Sequence, residues 1–124
     1  MNHFHIWCNL KPGESDVRFG ESVREMLGWL HEREFIEGYS IARRGFVIAP
    51  PDLGEFHVTV EFRSIEQMDR TLAFVSNGSD GTEELYRPLV EMVRDVSLSM
   101  DRDYPEEMRD RRHKADHTRE ETES

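Results

Sequence analysis

With 124 residues the chain has room for one domain built around a single hydrophobic core. Its 26 acidic against 16 basic side chains give a formal net charge of -10, which repels a phosphate backbone and, with no concentrated basic patch, argues against a nucleic-acid partner. The single Cys8 excludes an internal disulfide, no stretch approaches the about 18 apolar residues of a membrane span, and no basic region followed by an apolar run opens the chain. The expected location is the cytoplasm, with no membrane partner.

In chain order, NHFHIWCNL over residues 2 to 10 alternates Phe4, Ile6, Cys8 and Leu10 with His3, His5, Trp7 and Asn9, the period of a strand with one buried face. KPGESD then supplies a turn and a helix start with Ser15 as N-cap and Asp16 in the first turn. Phe19, Val23, Met26, Leu27 and Leu30 form one apolar helical stripe, with Trp29 on its flank. A second strand is expected over residues 36 to 48, with Tyr39 and Ile41 on one face and a bulge at Gly45. Phe46 and Ile48 join its other face if no bulge intervenes.

APPDLG forces a turn through Pro50 and Pro51, with Gly54 free to take positive φ. EFHVTVEF, residues 55 to 62, is the clearest strand: Phe56, Val58, Val60 and Phe62 alternate with Glu55, His57, Thr59 and Glu61. The two strands make a hairpin. SIEQ, residues 64 to 67, predicts a capping box of Ser64 and Gln67, followed by a helix with Ile65, Met68, Leu72 and Val75 inward up to Asn77 and Gly78. TEELYRPLVEMVRD predicts a further helix with Leu85, Leu89, Met92 and Val93 inward, and Pro88 either starting its regular part or kinking it. Residues 95 to 101 read as a fourth strand. From Arg102 to Ser124 the chain is a charged tail with few large apolar residues, expected to be disordered or a loose surface helix.

The order β-α-β-β-α(α)-β with one-sided strands predicts an α+β, ferredoxin-like domain over residues 1 to 101, a four-stranded antiparallel sheet with its helices on one face. Right-handed crossovers place the first and third strands side by side in the centre. His5, Trp7 and Asn9 then share the helix-free face with His57, Thr59 and Glu61.

By this element order and face polarity, residues 2 to 101 resemble the dimeric α/β-barrel superfamily, whose ferredoxin-like subunits pack sheet against sheet and which includes antibiotic-biosynthesis-monooxygenase-like proteins. The resemblance implies a homodimer with a partly polar interior. Members include cofactor-independent monooxygenases, haem-degrading enzymes, lactone isomerases and stress-response proteins, so membership does not fix a reaction. The axial histidine expected of a haem-degrading member on the second helix is missing, since no histidine lies between His57 and His113.

Three chemistries come into question on the helix-free face. RNA binding by aromatic platforms is excluded, because the third strand turns Phe56 and Phe62 toward the helices. Two histidines and a carboxylate can hold a divalent metal, and His3, His5, His57 and Glu61 are the types required, but no dense ligand motif is present, so no metal and no cofactor are assigned. Proton transfer on a small molecule would use His5 or His57 as general base with Glu61 orienting or charging it; Trp7, Asn9, Arg44 and Thr59 would bind the ligand. The expected function is therefore binding or transformation of a small molecule in a polar cavity of a homodimer. The alternative is a non-catalytic dimeric module whose polar face is only the interface.

Overall fold

The computed structural model describes residues 1–45 and 53–105. Four strands, β1 (Asn2–Leu10), β2 (Gly38–Arg43), β3 (Phe56–Phe62) and β4 (Val93–Arg102), and three α-helices, α1 (Asp16–Glu32), α2 (Ile65–Ser76) and α3 (Thr82–Met92), follow one another as β1-α1-β2-β3-α2-α3-β4, with one 3₁₀ turn (Ser79–Gly81) before α3. The sheet has the order β2-β3-β1-β4 and all three pairings are antiparallel. This is the α+β, ferredoxin-like architecture, with β1 and β3 central.

The core sits between the sheet and the helices. Phe56, Val58, Val60 and Phe62 are all buried, as is every member of the α1 stripe, Phe19, Val23, Met26, Leu27 and Leu30. Burial of each such side chain contributes about 1.5–3 kcal/mol relative to leaving it in water. Ser15 caps α1 by accepting from the Arg18 amide at 3.2 Å, which satisfies one of the donors a helix start leaves free.

Several local expectations are corrected. The second strand is confined to Gly38–Arg43, while Ile36 ahead of it is buried in the core. Gly45 lies beyond the strand end; Phe46, Ile48, Pro50 and Pro51 lie outside the described residues. In the capping box Ser64 accepts from the Gln67 amide at 3.1 Å, but the Gln67 side chain reaches back to the amide of Arg63, at 2.8 Å, rather than to that of Ser64.

The α2 face is also rotated from the apolar stripe. Gln67, Met68 and Thr71 are its buried residues, while Ile65 and Leu72 are each 38% exposed. The reason lies in the turn after α1, where Glu34 adopts φ 63°. Its carbonyl accepts from Gln67 Nε2 at 3.2 Å, and the Phe35 carbonyl accepts from Thr71 Oγ1 at 2.6 Å. Satisfying these part-buried carbonyls takes precedence over burying two further apolar side chains.

α3 runs through Pro88, and the chain passes directly from Met92 into β4, so Val93 opens the strand instead of closing the helix. A bulge then intervenes. Trp7 faces Ser97 and Asn9 faces Arg94, so β4 carries one extra residue, and Asp95 there has φ 57°. β4 ends at Arg102, and the Asp103 amide donates to the Met1 carbonyl at 3.1 Å. The expected tail from residue 106 onward lies outside the described residues.

Gly54 is required by crowding, not by a left-handed φ: a Cβ built there would stand 2.5 Å from the Cys8 carbonyl carbon and oxygen and 2.7 Å from its nitrogen. Gly54→Ala is therefore expected to cost about 1–3 kcal/mol through overpacking, read as a lower urea midpoint at unchanged slope. Gly45→Ala, where a Cβ meets nothing within 4 Å, is the matched control and should be nearly neutral. Equal stability of the two variants would refute the close approach.

Candidate functional site

The helix-free face is assembled by register. β1 pairs with β3 so that His3 faces Glu61, His5 faces Thr59 and Trp7 faces His57. On its other edge it pairs with β4 so that His3 faces Asp101, His5 faces Ser99 and Trp7 faces Ser97. Side chains of one parity on three adjacent strands therefore stand together.

The centre is a hydrogen-bonded pair of imidazoles. His5 Nδ1 lies 2.8 Å from His57 Nε2, and His5 Nε2 lies 2.9 Å from Asp101 Oδ2. Thr59 Oγ1 stands 3.3 Å from the same His57 Nε2. Trp7 stacks on His57 with ring centroids 4.4 Å apart at 8°, and on His5 at 5.4 Å and 18°. A second chain runs beside the first: His3 Nε2 is 3.0 Å from Asp103 Oδ1, and Asp103 Oδ2 is 3.3 Å from the amino group of Met1.

Of the residues singled out from sequence, His5, His57, Trp7 and Thr59 are thus brought together. Glu61 is not among them: the register sets it opposite His3, with Oε2 3.9 Å from His3 Nδ1 and its side chain 43% exposed. Asp101, from β4, stands where a carboxylate partner of His5 was expected from β3. Asn9 has both ends of its amide engaged, its oxygen accepting from the Glu55 amide at 2.9 Å and its nitrogen donating to Asp95 Oδ2 at 3.1 Å. It ties β1 to the start of β3 and to the bulge in β4. Arg44 lies past the end of β2, its amide bonded to the Glu55 carbonyl at 2.7 Å and its guanidinium to the Leu53 carbonyl at 3.4 Å.

Asp101 and Asp103 are the functional candidates that sequence reasoning missed. Asp101 continues the outward alternation of β4 and Asp103 follows just past its end, and only the pairing of β1 with β4 brings them to His5 and His3. Among the described residues no set of three His, Cys, Asp or Glu side chains converges as metal ligands; the imidazole nitrogens are turned toward each other and toward single carboxylates.

Electrostatics separates the groups. Burial, reinforced by the neighbouring His5, lowers the His57 pKa below the ordinary histidine value. Burial alone pushes the Cys8 thiol up to about 11, which leaves it a core side chain and not a nucleophile. On the opposite side of the sheet, a cleft of about 680 Å³ opens between the helices and the β4 edge. Its rim holds Leu72, Tyr86, Val90, Val96 and Leu98, between 38% and 60% exposed.

The depressed His57 value has a definite sign in stability. The unfolded chain protonates that ring near pH 6.5, before the folded chain does, so stability is complete above that value and falls as the pH drops toward the folded-state value. His57→Gln is expected to flatten this part of the curve of melting temperature against pH. A parent curve with no decline below neutral pH would contradict the assignment.

Comparisons with known proteins place the architecture. A protein of Arabidopsis thaliana superposes with a TM-score of 0.68 at 10% identity, covering 83% of this chain and 95% of that one. SnoaB, a cofactor-independent oxygenase from Streptomyces nogalater, superposes at 0.61 and 9% identity, covering 85% and 97%. A dimeric protein of unknown function and ferredoxin-like fold from Bacteroides fragilis superposes at 0.55 and 9% identity, covering 82% and 95%. At these identities the likeness is one of fold, and the fold is ferredoxin-like. No curated protein matches the chain in sequence. Among the described residues no helix is long and apolar enough to cross a membrane. The family model of the family of unknown function DUF6614 matches residues 1–115, and the chain belongs to that family.

Proposed function

We propose that the protein is a homodimer whose helix-free sheet faces meet, and that the His5–His57 pair, with Trp7 beside it, binds a small molecule there and exchanges a proton with it. The observation that carries this reading is the continuous hydrogen-bonded run Asp101–His5–His57 beneath a stacked indole. An ordinary solvated sheet face is covered by long charged side chains. A face built of half-buried imidazoles and an indole is instead suited to be closed off, and proton transfer needs groups whose protonation states lie near neutral pH. The Bacteroides fragilis protein of the same fold is dimeric and the Streptomyces nogalater one is a cofactor-independent oxygenase. Both descriptions agree with chemistry done by side chains in a paired assembly.

A second reading has its own observation. The cleft on the helix side, about 680 Å³, is lined almost wholly by hydrocarbon, the usual setting for an apolar ligand. In that case the histidine face is only the interface.

The readings separate in one set of measurements. Light scattering at low micromolar concentration is expected to give twice the subunit mass, and a panel of small carbonyl and aromatic ligands is screened against the parent, His5→Ala, His57→Ala and Leu98→Glu. The proposed reading expects His57→Ala to weaken binding about tenfold or more, about 1.4 kcal/mol, with the dimer retained and Leu98→Glu silent. Loss of binding in Leu98→Glu alone assigns the ligand to the cleft. Histidine variants that bind as the parent does and lose only dimer stability leave the face as an interface.

A further inference from the structure

Nothing in the sequence distinguishes Asp101 from any other acidic residue at a strand end, yet it terminates the run of hydrogen bonds that crosses the helix-free face. We propose that Asp101 is a positioning residue: it fixes the tautomers of His5 and His57 so that the proton-accepting atom of the site is Nδ1 of His57, while the resulting positive charge settles on His5. This deepens, and rests on, the reading that the face exchanges a proton with a small molecule.

The argument is one of donor counting. A carboxylate oxygen only accepts, so the 2.9 Å contact to Asp101 requires a proton on His5 Nε2. A neutral imidazole carries one proton, so His5 Nδ1 must then be bare and accept across the 2.8 Å contact from His57 Nε2. Thr59 Oγ1, at 3.3 Å, takes the weaker branch of that same N–H. With its own single proton on Nε2, neutral His57 presents a bare Nδ1, and that atom makes no hydrogen bond to any described residue.

Reversing the chain would need His5 to carry both protons. That is the charged state of the pair, reached as follows. A proton leaving the ligand binds His57 Nδ1; the Nε2 proton of His57 crosses to His5 Nδ1; the ligand is left as its conjugate base. His5 is now the imidazolium, beside the Asp101 carboxylate, and His57 is again neutral. No electrons change hands. The base atom and the charge-bearing ring are thus different residues, which agrees with burial and His5 both opposing a charge on His57. The other ionisable groups near the pair gather at His3: Glu61 from β3 and Asp103 after β4 contact its ring, and the amino group of Met1 contacts Asp103.

Imidazole ¹⁵N–¹H NMR of the full chain tests this without a ligand. At a pH about one unit or more above the ordinary histidine value of about 6.5, both rings of the parent should show a protonated Nε2 and a bare Nδ1. On acidification His5 should be the first of the two to carry both protons. In Asp101→Asn the amide can donate as well as accept, so the Nδ1–H form of His5 should rise to a comparable population and the bare nitrogen of His57 should shift toward Nε2. The first protonation midpoint of the pair should fall by about half a unit to one unit, the low end for an opposite charge because Asp101 is largely exposed. Asp101→Glu should restore the parent pattern. A parent His57 protonated at Nδ1, or an Asp101→Asn variant with tautomers and midpoint unchanged, overturns the proposal. Ligand binding indifferent to His57→Ala would instead overturn the proposed function while leaving these tautomers intact.

Discussion

β1 is hydrogen-bonded along both edges, to β3 over residues 2 to 8 and to β4 over residues 2 to 10, and the rest of the molecule depends on that double pairing. Strand side chains alternate with a period of two, so a slip of one residue on either edge would turn Phe4, Ile6 and Cys8 away from the helices and drive His5 and Trp7 into the core. The burial of one face therefore fixes the geometry of the other. His5 stands between Phe4 and Ile6, and its 2.8 Å contact with His57 owes its precision to apolar packing on the far side of the sheet. Gly54, pressed against the Cys8 backbone, holds the entry to β3 close to that same strand.

The bulge in β4 follows from the same constraint. Val93, opposite Leu10, and Val96 both turn toward the helix side, yet they are three residues apart, and an unbroken strand would put them on opposite faces. The extra residue at Asp95, with φ 57°, reconciles the two, and Asn9 binds its side chain at 3.1 Å. Beyond the bulge the phase of β4 is reset, and only in that phase do Ser97, Ser99 and Asp101 join Trp7, His5 and His3.

What could be read in the sequence and what could not divides along physical lines. β1, β3 and the α1 stripe were legible because each has one apolar face and one polar face, and periodicity reports that contrast directly. α2 misled because its burial is decided by Gln67 and Thr71, whose side chains serve the carbonyls of Glu34 and Phe35; a hydrophobic pattern has no term for a polar residue recruited by a distant turn. The parity of His5 and His57 was equally legible. Their partner was not: Glu61 is close to His57 in sequence, but cross-strand register sends it to His3, while Asp101 reaches His5 from a strand that lies 96 residues away along the chain. The structural role of Asn9 was hidden for a related reason, since the partners of its amide, the Glu55 amide and Asp95, come from distant parts of the chain.

The two faces of this sheet have opposite deficits. On the polar side the imidazoles of His3, His5 and His57 are hydrogen-bonded to one another or to single carboxylates, and the ring surfaces of Trp7 and its imidazole neighbours stack above the sheet. On the helix side the core is well packed over β3 but thins toward the edge, where Val96, Leu98 and Met100 remain 50%, 60% and 58% exposed. A second subunit brought against the polar face would exclude water from Asp101, His5 and His57 together. In a medium of lower dielectric the attraction between the Asp101 carboxylate and a charged His5 strengthens, and the cost of a charge on His57 rises. Closure of that face would thus sharpen the difference between the ring that accepts the proton and the ring that keeps the charge, while the apolar cleft on the other side stays open.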